Sequence, residues 1–261
     1  MQDLLNDETK LIWRRALLPV ALVQFVLPLL PALGIGSPFG TLAGGEFHPP
    51  EMPPGPFFLI WLVIFAAYLG FALWAWLDDT PATRLLALPF LLTGLFSSTW
   101  MILEQSGAGP AISLPVLTAL AGSSFVAAHR FNPVRGVDGN PGRLAGEIAS
   151  GLLAGWMCLA TAIAVSGLVR GAFGLGSTDA VWQMLSLTLA ITALLAWFGV
   201  SRVTQSPYFL LAHSWGLAGL VVNLWWTTHL HVPAVITGLF GIWLVRRNLR
   251  SGASKAKNSL R

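Results

Sequence analysis

Twelve tryptophans and five histidines are the residues of this 261-residue chain with the most evident capacity for chemistry. Trp61, Trp156 and Trp215 lie several residues inside apolar runs. An interior indole must find an acceptor for its N–H or line a cavity. Three such rings offer flat aromatic walls to a flat hydrophobic ligand, or they serve helix–helix packing. Trp13, Trp76, Trp182, Trp225 and Trp226 fall at the ends of apolar runs, where indole favours the membrane–water boundary. Among the histidines, His229 and His231 flank Leu230, whereas His48 and His129 stand in or beside connecting segments. His213 is inside an apolar run, about four to five helical turns from His229, so these two cannot share a metal. No HExxH pattern occurs, and the single cysteine, Cys158, excludes an internal disulfide and a cysteine-based metal cluster. Glu104 and Glu147 sit near the ends of apolar runs, and Gln24, Gln183 and Asn223 are of the type that bridges helices. Paired carboxylates, a nucleophile with its base and a phosphate loop are all missing from the pattern. The expectation is a protein without catalytic residues and without a metal.

The elements that must hold these side chains are membrane helices. The chain is 55% hydrophobic and only 10% charged, with a mean hydropathy of +0.69. Soluble domains carry about 25% charged residues to cover their surface. Eight segments have roughly the 20 apolar residues that cross a bilayer, near 14–34, 56–77, 84–103, 110–129, 146–169, 180–200, 208–227 and 231–247. The last is short and leans on Arg246 and Arg247 to reach the interface. The connections are rich in turn formers, such as PPEMPPGP and FNPVRGVDGNPG. The N-terminal MQDLLNDETKLIWRR reads as no signal peptide, so the first span is expected to persist.

Charge placement tests this division. With the N-terminus in the cytoplasm, eight spans place every Lys and Arg inside except Arg170. Seven spans would put the basic tail outside. The expected architecture is therefore an all-α integral membrane protein: one polytopic bundle of about eight transmembrane helices over residues 1–261, both termini cytoplasmic, with a basic tail at 246–261. The basic residues sit at loops and ends rather than in a groove with interleaved aromatics, which excludes nucleic acid as a partner. The first external loop, residues 35–55, has no Lys or Arg and contains Glu46, His48, Glu51 and five prolines between Pro38 and Pro54. Small residues at Gly151, Gly155 and Ala160, and at Gly216 and Gly219, permit close helix approach and a compact bundle.

The segment PPGPFFLIWLVIFAAYLGFALW, from Pro53 to Trp74, resembles the signature of the TspO/MBR (tryptophan-rich sensory protein, translocator protein) superfamily. There a Pro-Pro-Gly or Pro-Ala-Gly turn opens a helix carrying Phe, Trp and a further aromatic, here Phe58, Trp61 and Phe65. The prolines begin the helix without wasting a donor, and Phe58, Trp61, Phe65 and Tyr68 recur at helical spacing. Trp100 resembles the family's Asn-x-x-Trp, with Ser97 in place of the asparagine. Gly155-Trp156 with Ala160 resembles Gly-Trp-x-x-x-Ala, with Ala164 where a second asparagine is usual. Trp215-Gly216-Leu217 with Gly219 resembles the Trp-Ala-Leu-x-Gly of the longer bacterial members. The likeness runs from about residue 15 to 230.

This resemblance implies a bundle whose pocket is capped by the first external loop and takes tetrapyrroles or other flat hydrophobic molecules. It implies Phe58, Trp61, Phe65, Trp100, Trp156 and Trp215 as ligand-binding residues, and Pro53, Pro54 and Gly55 as the shapers of the lid. The implied role is sensor, regulator or carrier in a bacterial inner membrane, with a porphyrin-type molecule as ligand rather than obligatory cofactor. The absent asparagines at Ser97 and Ala164 leave open a changed function. An anionic ligand would need indole or backbone donors, or Arg170. Two other classes stand beside this one: a secondary transporter of a hydrophobic solute, and a structural subunit of a larger membrane complex. The partners expected are the lipid bilayer and a hydrophobic small molecule, with a homodimer or a membrane-complex partner left open.

Overall fold

A computed structural model describes residues 7–37, 49–134 and 140–259 of the chain. Eight α-helices follow in order: α1 (Asp7–Val26), α2 (Ile60–Leu77), α3 (Pro81–Gln105), α4 (Pro110–Phe131), α5 (Pro141–Phe173), α6 (Val181–Phe198), α7 (Pro207–Val222) and α8 (His231–Ser259). Seven helical stretches are long and apolar enough to cross a membrane, and the apolar part of α8, His231–Arg246, is shorter. No strand occurs among the described residues. The integral-membrane bundle read from the sequence is thus the architecture observed.

Helix starts follow local chemistry. Pro81, Pro110, Pro141 and Pro207 each occupy the first turn of a helix, where a missing N–H costs nothing. Thr80 and Thr83 cap α3 reciprocally: the Thr83 N–H donates to Thr80 Oγ1 at 3.2 Å and the Thr80 N–H to Thr83 Oγ1 at 3.0 Å. Asn140 Oδ1 accepts from the N–H groups of Gly142 and Arg143 at 2.8 and 3.3 Å, which starts α5 five residues before its apolar run is expected to begin. Gly174, at φ 62°, ends α5 in the left-handed region that favours glycine.

α5 is the central element, packed against α2, α4, α6 and α7. Its face toward α7 is made of small residues because backbone meets backbone there. A Cβ on Gly155 would lie 2.1 Å from the Phe209 carbonyl oxygen, a distance no side chain tolerates. On the next residue round the helix, Trp156 turns toward α2 and is wholly buried. α1 packs on α2 and α3, α8 on α7, and α6 on α5. Apolar layers join α6, α7 and α8: Leu185, Leu220, Leu224 and Ala234 in one, Ala196, Leu217 and Leu244 in the other. Buried hydroxyls on α3 and α4 mostly return to their own helix, as with Thr93 to the Pro89 carbonyl at 2.8 Å. Tyr68 on α2 donates across to the Phe90 carbonyl of α3 at 2.5 Å.

The helix ends sort the charges. Arg14, Arg84, Arg130, Arg143 and Arg202 all lie at one end of the bundle, and Arg170 at the other, which is also the end where residues 49–59 enter α2.

Candidate functional site

Residues 49–59 form a strap across the end of the bundle. It begins with a turn in which the Met52 N–H donates to the Pro49 carbonyl at 3.0 Å, and from Gly55 to Leu59 it tightens into a 3-10 turn that leads directly into α2. Pro54 holds φ −62° and ψ 154° before that turn, while Pro56 contributes no N–H. Four contacts hold the strap down. Asn223, at the π-helical turn Asn223–Thr227 that ends α7, donates from Nδ2 to the carbonyls of Pro50 (3.1 Å) and Pro49 (3.4 Å). Trp215 donates its indole N–H to the Phe57 carbonyl at 2.8 Å, with the two rings 4.8 Å apart. Gly219 gives the strap its seat: a Cβ there would meet the Phe57 ring at 2.7 Å and Pro53 at 2.9 Å.

The strongest anchor is an ion pair. Arg170, in the last turn of α5, donates from Nε to Glu51 Oε1 at 2.6 Å and from a terminal nitrogen to Oε2 at 3.0 Å. Its other terminal nitrogen donates to the carbonyls of Gly176 (2.5 Å) and Asp179 (2.8 Å) in the α5–α6 connection. Both side chains are only 1% exposed. The planar guanidinium matches the carboxylate fork in the two-bonded geometry that gives such pairs their strength. Of the three expected lid residues, Pro53 and Pro54 shape the strap, and Gly55 opens its final turn with no steric demand on its Cα.

Under the strap lies a cluster of aromatic rings. Trp61 stacks on Phe65 (centroids 5.4 Å, 29° between planes) and on Trp100 of α3 (5.5 Å, 26°). It meets Trp156 edge to face at 6.5 Å, and Phe58 does the same to Trp156 at 5.6 Å. Leu27, Leu30, Met101, Leu117 and Leu152 complete the surrounding apolar shell. Five of the six ring residues expected from sequence therefore converge: Phe58, Trp61, Phe65, Trp100 and Trp156. Trp215 does not join them. It is 42% exposed on α7 and acts on the strap.

Polar groups around the rings are few. The Glu104 carboxyl accepts from Trp100 and from Ser113 of α4. Gln105 ties α3 to the end of α1 by donating to the Leu27 carbonyl at 2.8 Å. The Trp156 indole N–H is buried and has no acceptor. Ser97 and Ala164, which stand where the resemblance leads one to expect asparagines, supply no amide: Ser97 Oγ lies 4.0 Å from the Met101 sulfur, and Ala164 packs against the apolar shell.

Matching the chain to known families settles its kinship: the model described as TSPO-like protein matches residues 48–246. The chain belongs to the TSPO-like protein family. The match takes in the strap, the cluster and all of α2–α7, and begins after α1. Among curated proteins and among solved structures, nothing matches this TSPO-like protein.

Sequence reading missed the clamp of this TSPO-like bundle, because Glu51 and Arg170 are far apart in the chain. One signal was available: charge placement leaves Arg170 as the one Lys or Arg outside, and a lone charge inside a membrane bundle requires a partner. Asn223, read from sequence as a helix bridge, holds the strap instead. The histidines play no common part. His129 lies 3.2 Å from the Val203 carbonyl, His231 meets Trp225 at 4.5 Å with the ring planes tilted by 60°, and His213 is buried between α5 and α7 with neither ring nitrogen bonded. His48 falls outside the described residues, as do Pro38 and Glu46. No group of three or more metal-ligating side chains occurs among the described residues.

Proposed function

We propose that this TSPO-like protein binds a flat hydrophobic ligand, of the porphyrin class in ring size and shape, among Phe58, Trp61, Phe65, Trp100 and Trp156. The observation that carries this reading is the continuous contact of those five rings beneath a strap clamped at both ends of its course. At 5.4–5.5 Å between centroids the stacked rings touch one another. A ligand therefore enters by displacing one ring from the stack and replacing a ring–ring contact with a ring–ligand contact. Aromatic pairs are worth about 0.5–1.5 kcal/mol beyond their buried area, so this exchange is nearly balanced. Apolar burial of the ligand then supplies the net affinity. The protein acts in this reading as a sensor, regulator or carrier rather than as an enzyme. It resides in a bacterial cell membrane with both ends cytoplasmic and the strap outside, as the placement of Lys and Arg favours.

Titrating purified protein with a porphyrin and following tryptophan fluorescence tests the proposal. Saturable quenching is expected, with the dissociation constant raised about tenfold or more by Trp61→Ala and by Trp156→Ala, in line with the loss of an aromatic anchor. Trp215→Ala should leave quenching of the remaining tryptophans intact. Quenching unaffected by the first two substitutions, or none with any porphyrin, refutes the reading.

A further inference from the structure

We infer that the aromatic site selects an uncharged ligand, one without free carboxylates, whose polar requirement is a neutral acceptor oxygen for the Trp156 indole N–H. This rests on the cluster being the ligand site, and adds the charge class of what the site accepts.

The argument is an inventory of what could meet an anion there. Among the described residues, Arg170 is the single Lys or Arg at the strap end of the bundle. Its guanidinium is already engaged through all three nitrogens, by both oxygens of Glu51 and by the carbonyls of Gly176 and Asp179, with both charges out of solvent. A ligand carboxylate could use Arg170 only by expelling Glu51 and leaving that charge unpaired, an exchange with no gain in charge pairing. The arginines of the opposite end are beyond reach. Arg143 lies about 20 Å along α5 from Trp156, and Arg84 is farther still along α3 from Trp100 than one ring system spans. The turn that opens α2 offers little in compensation, since Pro56 has no N–H and the Phe57 N–H donates to the Pro54 carbonyl. Two ionisable side chains lie beside the rings: His213, buried on α7 against Gly155, and Glu104, an acceptor held by Trp100 and Ser113. Glu104 would face an incoming carboxylate as one acceptor faces another.

A neutral oxygen meets the opposite situation. The Trp156 N–H is a donor with no acceptor, on a side chain 1% exposed that touches both Phe58 and Trp61. An unpaired buried donor is costly, and a carbonyl or ester oxygen relieves it without bringing charge into the bundle.

Protoporphyrin IX and its dimethyl ester differ in this one respect. Both are titrated into the purified protein in zwitterionic nanodiscs at pH 8, where exposed histidines are neutral, with partitioning corrected from protein-free discs. The ester is expected to bind at least about tenfold more tightly than the free acid, since burying an unpaired carboxylate is far costlier than burying an ester. Trp156→Phe, which keeps a ring and removes the N–H, should weaken the ester several-fold, by about the loss of one hydrogen bond. It should leave octaethylporphyrin, which has no acceptor oxygen, unchanged. Tighter binding of the free acid, especially if abolished by Arg170→Gln, overturns the inference while leaving the aromatic site standing. Equal response of ester and octaethylporphyrin to Trp156→Phe removes the acceptor requirement. Absence of saturable binding by all three porphyrins refutes the site itself.

Discussion

Ion pairs occur at both ends of the bundle, and they are built on opposite terms. At the strap end, Glu51 and Arg170 are each 1% exposed and join segments far apart in the chain. At the other end, Arg84 grips Asp79 through two bonds of 2.7 and 3.0 Å, and Arg14 approaches the same carboxylate at 3.3 Å, with Asp79 44% exposed. In the second arrangement the Arg84 pair joins near neighbours of the α2–α3 turn in water, where an ion pair contributes little, and Arg14 reaches the same exposed carboxylate from α1 through one nitrogen. The first is out of water, where a pair contributes modestly as a whole but its two halves cannot be separated without penalty. Equal chemistry thus yields a local ornament at one end and a clamp at the other. The clamp holds the segment above the aromatic rings.

Breaking the clamp should have the largest effect. Glu51→Ala leaves the Arg170 charge buried and unpaired, a change worth about 3–5 kcal/mol if the strap stayed in place. The expected outcome is release of the strap, seen as faster backbone hydrogen exchange across residues 49–57 and a lower thermal midpoint in detergent. The double variant Glu51→Ala with Arg170→Met should recover part of the loss. A midpoint equal to the unmodified protein would erase the distinction between the two ends. A smaller effect is expected from Trp215→Phe, which keeps the ring against Phe57 and deletes one hydrogen bond to the strap, worth about 1 kcal/mol. Hydrogen exchange at residues 55–59 should rise while residues 49–52, held by Glu51 and Asn223, stay protected.

The smallest effect belongs to the exposed end. Bonding from Arg84, aided by the charge of Arg14, holds the Asp79 carboxyl below its ordinary value of 3.8. A carboxylate depressed in the folded state stabilises above its unfolded pKa and loses that contribution as pH falls through the lower folded value. Melting curves should therefore show no contribution from Asp79→Asn that varies between pH 5 and 8. Whatever Asp79→Asn costs should shrink only at acid pH, below about 4, as the carboxylate takes up its proton, and 0.5 M NaCl should remove most of that cost at neutral pH. The Glu51→Ala penalty, by contrast, should be unchanged by that salt.

Most of the scaffold was legible from hydropathy, and the reason is the solvent: lipid demands long apolar helices, so their number and rough position follow from composition alone. The edges were less so. α5 extends from Pro141 to Phe173 rather than 146 to 169 because Asn140 caps it and Gly174 ends it, local hydrogen bonding that hydropathy does not register. Similarly, the first span is an α-helix to Val26 and continues as a 3-10 helix over Leu27–Leu33, around Pro28 and Pro31. In the site, Phe58, Trp61 and Phe65 were readable together because they share one face of one helix. Trp100 and Trp156 entered through their resemblance to family motifs, and the fold brings them in from α3 and α5. Trp215 stands apart from the five rings with its N–H on the Phe57 carbonyl; which way it faces depends on the rotation of α7, where Gly155 meets Phe209. The Glu51–Arg170 pair depends on tertiary closure and has no local signature.

The length of α5 carries one more consequence. Its two charged residues beyond the first turn, Glu147 and Arg170, stand about 34 Å apart along the axis, close to the thickness of about 30 Å that the hydrocarbon layer presents. They act as the graduations of a ruler. A bilayer of shorter acyl chains has to be met by tilting this helix or by drawing lipid up around it. Tilting moves the Arg170 graduation, and with it the strap that Arg170 grips. Acyl-chain length thereby becomes a mechanical input at the far end of the molecule, delivered through the one helix that touches both.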